Sequence, residues 1–119
     1  MKIAVSSRGT DLDSQVDPRF GRAAYLLIID PVSSEIEVID NAENLNAFKG
    51  AGIQAAALVS DSGAEVLLTG FCGPNAFKTL QAAGVKVAND VTGTVRDALK
   101  ALKEGSVSFA DDANVEGQW

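Results

Sequence analysis

The 119-residue chain contains no histidine and a single cysteine. Without histidine it lacks the commonest general base near neutral pH and the commonest protein ligand for transition metals. One thiol forms no internal disulfide, which fits a reducing, cytoplasmic setting. One thiol and no imidazole also leave too few soft donors for a protein-ligated zinc or iron–sulfur centre. Positive charge is scarce as well: 10 Lys and Arg stand against 16 Asp and Glu, a formal net charge of −6. A broad basic face for nucleic acid is not expected from that balance. Apolar runs stay far short of the roughly 20 residues that span a bilayer, so no membrane partner is expected either. The N-terminus passes from one lysine straight into a strand-like stretch, and no signal peptide is read there.

Two nucleotide signatures are missing too. No GxxxxGK[ST] occurs and no GxGxxG follows the first strand, which argues against an ordinary ATP- or NAD-dependent enzyme. The first strand, KIAVSS, has none of the carboxylates that a metal-dependent nuclease of similar strand order places on its strands.

Against this background the placement of arginine stands out. Three of the four arginines fall within the first 22 residues: Arg8, Arg19 and Arg22, the last two inside DPRFGRA at 17–23. The rest of the chain reads as one α/β domain over 1–105, followed by an irregular tail over 106–119. KIAVSS (2–7) is a strand, and 8–23 is a long polar loop. YLLIID (25–30) and EIEVID (35–40) flank the turn PVSS and form an antiparallel hairpin. EIEVID alternates like a half-exposed edge strand; YLLIID is almost wholly apolar, as deeper in a sheet. After a loop over 41–52, a helix runs from Ile53 to a stop at Gly63. EVLLTG (65–70) is a strand, and a helix opened by Pro74 stops at Gly84. VKVAND (85–90) is the last strand, and a helix from Gly93 or Thr94 ends at Gly105.

The order β-β-β-α-β-α-β-α, with right-handed crossovers, predicts a three-layer α/β/α sandwich. Its mixed five-stranded sheet has the first strand at the centre and the second antiparallel. One consequence concerns the arginines. The loop after the first strand, the loop after the third and the starts of all three helices then share one rim of the sheet. Open α/β sheets take ligands at this carboxyl rim, and helix N-termini favour anions.

An anion pocket on the rim would use Arg8, Arg19, Arg22 and Lys49 for charge. Backbone N–H groups near Gly50, Gly52, Gly73 and Gly93 would add hydrogen bonds, with Asn75 and Thr94 beside two helix starts. The alternative is that Arg19 pairs with Asp17 or Asp13, and Arg8 with Asp11, only to staple the loop. Cys72, next to a helix start, is either a soft ligand or a small packed side chain. Phe20, Phe48 and Phe71 line an apolar wall or anchor the loops. Asp11, Asp13 and Asp17 can hold a hard cation or, more simply, make turns.

VDPRFGRA, GAGIQAA at 50–56, the TG-x-x-GPNAF stretch at 69–77, GTVRDAL and the terminal NVEGQW together resemble the dinitrogenase iron–molybdenum cofactor biosynthesis family, in order and over nearly the whole chain. The resemblance implies a ribonuclease-H-like fold. It further implies non-enzymatic binding, carriage or assembly of an anionic metal–sulfide cluster, with donor or acceptor proteins as partners. Compact members carry a mixed molybdenum–copper sulfide cluster, and a related iron–molybdenum–sulfur cluster is the other cofactor implied. Cys72 is the one soft ligand that such a cluster would find here. The alternative function is an enzyme or regulatory domain that binds a phosphorylated small molecule on the same rim.

Overall fold

A computed structural model describes residues 1–41 and 50–110. Five strands, β1 (Lys2–Ser7), β2 (Tyr25–Ile29), β3 (Ile36–Asp40), β4 (Ala64–Leu68) and β5 (Lys86–Ala88), and three helices, α1 (Ala51–Asp61), α2 (Pro74–Ala82) and α3 (Val95–Lys103), follow in the expected order. The sheet order is β3-β2-β1-β4-β5. β2 is antiparallel to both its neighbours, with Val5 opposite Leu27 and Leu27 opposite Val38; β4 and β5 run parallel to β1.

Alternation along the central strands builds two cores. Ala4, Leu26, Ile28, Leu67 and Val87 meet α1 and α2 through Ala55, Ala56, Val59, Phe77 and Leu80. Ile3, Val5, Leu27, Ile29, Val66 and Leu68 face α3 through Val95 and Ala98. Since side chains point alternately to the two sides, one short apolar strand feeds both. The outcome is the three-layer sandwich, and no helix among the described residues is long and apolar enough to cross a membrane.

Several boundaries differ from the sequence reading, most by one or two residues. α1 begins at Ala51 rather than Ile53, because Gly50 takes φ 80 and turns the chain into the helix with Ala51 already buried. β4 starts at Ala64, one residue early, and ends at Leu68. β5 stops at Ala88, because Asp90, at φ 61, and Val91 turn back to donate to the carbonyls of Gly70 and Thr69 at 3.0 Å each. Beyond α3 the chain returns to the outer edge of β5. Phe109 pairs with Ala88, the Ala110 N–H donates to the Val87 carbonyl at 2.7 Å, and Lys86 Nζ lies 5.6 Å from the Phe109 ring centre.

Candidate functional site

The carboxyl ends of β1, β3, β4 and β5 and the start of β2 lie at one end of the sheet, as their registers require. The loop after β1 is laid across this end and bonded to it at many points. Arg8 N–H donates to the Gln15 carbonyl and Asp17 N–H to the Ser6 carbonyl, both at 2.9 Å. Phe71 N–H donates to the Pro18 carbonyl at 2.6 Å, and Phe20 N–H returns a bond to the Phe71 carbonyl at 3.2 Å. Beneath these, Ser6 Oγ donates to the Asp17 carbonyl at 2.7 Å and lies 2.7 Å from Thr69 Oγ1. Its one proton being used, Ser6 accepts from Thr69, and the ends of β1 and β4 are joined to the loop in a buried chain. The approach is close enough that a Cβ on Gly70 would sit 2.7 Å from Pro18 Cα.

Two of the loop's carboxylates, Asp11 and Asp17, accept from its backbone. Asp17, 4% exposed, accepts the Arg19 N–H at 3.0 Å. Asp11 Oδ1 accepts the Asp13 N–H at 2.9 Å and the Ser14 hydroxyl at 3.2 Å. Asp13 pairs with Arg96 across solvent at 3.1 Å, a type of exposed pair that contributes little. Arg19 Nε is 3.8 Å from Asp17, and its side chain is 45% exposed. Among the described residues no ion pair involves exposed Arg8, and Arg22 is half-buried. Arg19 thus keeps the contact to Asp17 that a stapled loop would make, at the long end of ion-pair range, while peptide hydrogen bonds join the loop to the sheet at several points.

The three helix starts are unlike one another. At α3, Thr94 and Asp97 form a capping box: Asp97 N–H donates to Thr94 Oγ1 at 3.0 Å and Thr94 N–H to Asp97 Oδ2 at 3.1 Å. The Val95 and Arg96 N–H groups donate to Ser14 and Leu12 at 2.9 and 2.8 Å, and the Gly93 carbonyl accepts from Val16. The Thr94 peptide N–H, and then its hydroxyl, hold the Asp97 carboxyl below its ordinary value of 3.8. Gly93 and Thr94 are thus engaged in joining α3 to the loop. At α1 and α2 the N-cap residues are Gly50 and Gly73, neither with a side-chain cap. Gly52, in the first turn of α1, abuts the arginine loop: a Cβ on Gly21 would come within 2.7 Å of Gly52 N. Asn75 is exposed in the first turn of α2.

Cys72 lies in the core with Phe20 and Leu26, 0% exposed, and burial pushes its thiol up to about 12. In this environment it is protonated at neutral pH and behaves as a small apolar side chain. Phe20, 1% exposed, is likewise core, whereas Phe71 is partly exposed on the rim. Lys49 and Phe48 lie outside the described residues. Asp11, Asp13 and Asp17 do not converge: no group of three or more His, Cys, Asp or Glu among the described residues is placed to hold a metal ion.

Four residues that were not among the expected ligand-binding residues shape the rim, three of them within the quoted motifs. Gly21 and Gly70 permit close approach, and Thr69 completes the hydroxyl chain. Asn41, 1% exposed, donates from Nδ2 to the carbonyls of Gly21 and Ala23 at 3.3 and 2.9 Å. A glycine at 21 and at 70 is compatible with close approach, but nothing local in DNAEN signals the reach of Asn41 across the rim.

The fold defines a small three-layer α/β domain with a mixed sheet and a loop-covered carboxyl rim. Residues 1–105 match the model of the dinitrogenase iron–molybdenum cofactor family, and the chain belongs to that family. Among solved structures it is similar to the apo form of the orange protein from Desulfovibrio gigas, at 46% identity over 96% of both chains with a TM-score of 0.93. It is also similar to a Thermotoga protein described as a candidate NifB protein, at 38% identity over 98% of both chains with a TM-score of 0.83. A Methanocaldococcus jannaschii protein at 17% identity, over 94% of this chain and 96% of that one, shares the fold, with a TM-score of 0.68. No curated protein matches.

Proposed function

We propose that the protein is a non-enzymatic carrier or assembly site for an anionic, molybdenum-containing sulfide cluster, with copper as the second metal, in a reducing cytoplasm. The observation that carries this reading is the state of the arginines. Arg8 has no carboxylate partner among the described residues and Arg19 only a long contact, while Asp11 and Asp17 accept from backbone N–H groups and Asp13 pairs with Arg96. Guanidinium charge on a fixed loop suits a polyanion. Arg22 belongs to this loop, the glycine start of α1 abuts it, and Lys49, one residue before Gly50, adds charge in sequence. Family membership and likeness to the orange protein support a molybdenum-containing cargo. The buried Cys72 thiol and the lack of histidine favour capture by charge and hydrogen bonds over a protein–metal bond. The cluster's own sulfides would complete its coordination. Proteins that donate or receive it are the expected partners.

Reconstitution with tetrathiomolybdate and copper, followed by visible absorption, tests the reading. Wild-type protein is expected to take up a coloured cluster, and the Arg19→Ala, Arg22→Ala double variant to lose most of that uptake. A double variant that loads as well as wild type would sink the proposal. Calorimetry with nucleotides and sugar phosphates runs beside it; micromolar binding there without cluster uptake would favour a phosphate site.

A further inference from the structure

We infer that Asn41 is the positioning residue of this rim: it fixes Arg22 against the start of α1 and thereby sets the rim's affinity for its anion. The inference rests on the anion-carrying function proposed above. Asn41 follows directly on β3 and is 1% exposed. Its own N–H donates to the Ala24 carbonyl at 3.0 Å. Its carboxamide Nδ2 donates to the Gly21 carbonyl at 3.3 Å and the Ala23 carbonyl at 2.9 Å. Gly21 and Ala23 are the residues on either side of Arg22. One NH2 group therefore grips the chain immediately before and after the arginine.

The other side of the grip is α1. A Cβ on Gly21 would lie 2.7 Å from Gly52 N and 2.8 Å from Gly52 Cα, so the peptide that precedes Arg22 already touches the first turn of that helix. The backbone of Arg22 is thus held between the end of β3 and the start of α1. Two hydrogens in a fixed fork are what asparagine brings. Serine offers one donor, aspartate would set a carboxylate against two carbonyls, and glutamine is a methylene too long for a closed site. A cation held in advance loses less freedom on binding than one on a loose loop, and that saving appears as affinity.

A double-mutant cycle tests this on the whole protein, with tetrathiomolybdate alone as the probe, well below the melting temperature. Asn41→Ala and Arg22→Ala are each expected to weaken binding roughly tenfold, and the two together hardly more than either, because both remove the same interaction. The melting temperature is recorded for all four proteins. A purely structural Asn41 would lower it with affinity unchanged, and that result overturns the inference; so do losses of affinity that simply add. If Asn41→Ala fails to fold, Asn41→Ser replaces it in the same cycle. Should Arg19→Ala and Arg22→Ala both bind as tightly as wild type, the anion reading itself fails and takes this inference with it. If they weaken binding and Asn41→Ala does not, only the positioning role is lost.

Discussion

The starts of α1 and α3 sit on the same rim and are finished in opposite ways. At α3 the N–H groups of residues 94–97 all have partners, two within the Thr94–Asp97 box and two on carbonyls of the arginine loop. At α1 the N-cap is a glycine with φ 80 and no side-chain cap, pressed against the same loop by the Gly21–Gly52 contact. A helix N-terminus carries partial positive charge whether or not it is used. At α3 that charge and its donors are spent on holding the loop. At α1 they stand beside the DPRFGRA loop. The same loop is thus bonded to α3 at one end of the rim and packed against the start of α1 at the other.

The sharpest way to break this arrangement is to prevent the loop from seating. In Gly70→Ala the new Cβ meets Pro18 Cα at 2.7 Å and the Pro18 carbonyl oxygen at 2.8 Å, both backbone atoms that cannot swing aside. A loss of about 3 kcal/mol is expected from such overpacking, read by urea denaturation. Cluster uptake should fall with it. Full stability in this variant would mean that the loop has slack its contacts do not suggest.

A gentler change addresses the open start alone. Among the described residues, Gly50→Asp has no atom within 4 Å of its new Cβ. Aspartate tolerates the left-handed region better than most residues, so the strain is modest. A carboxylate here favours the helix but competes with any anion beside it. Tetrathiomolybdate affinity is expected to fall about tenfold, equivalent to about 1.4 kcal/mol, with little change in melting temperature. Unchanged affinity would move the ligand away from α1.

The smallest effect is expected at the closed start. Thr94→Ala removes the cap and should cost about 1 kcal/mol of stability while anion affinity stays as it is. Its pH dependence follows from Asp97, whose folded value is depressed. The box contributes fully above the ordinary carboxylate value of 3.8 and is lost as pH falls through the lower folded value. Acid titration of wild type and Thr94→Ala should therefore converge at low pH. A Thr94→Ala variant with weakened anion binding would show that α3 belongs to the site after all.

Much of this was legible in the residues. Alternation in EIEVID marked an edge strand, the apolar YLLII a buried one, and Gly63, Gly84 and Gly105 the helix stops, where the chain takes φ 82, 80 and 74. Strand order then carried the arginine loop to the carboxyl rim. The candidate site was less legible. Cys72 beside Gly-Pro looks like a thiol at a helix start, yet its side chain turns into the α1–α2 core, where desolvation keeps it protonated. Phe20 follows it inward, and Thr94, read as a donor to a ligand, caps its own helix. Direction of a side chain out of a loop has no period to read.

The sequence by itself determined the elements, their order, the acidity of the molecule and the concentration of arginine near one end of the chain, because hydrophobic period, turn residues and composition are local properties. Only the tertiary structure decided which polar groups were already satisfied. Asn41 meets Gly21 and Ala23, Gly70 meets Pro18, and Ser6 meets Thr69 across 18, 52 and 63 positions of chain, taking the nearer partner of each. Whether a donor is free for a ligand depends on such distant encounters. They arise when packing brings strands and loops together, and no stretch of residues carries them alone.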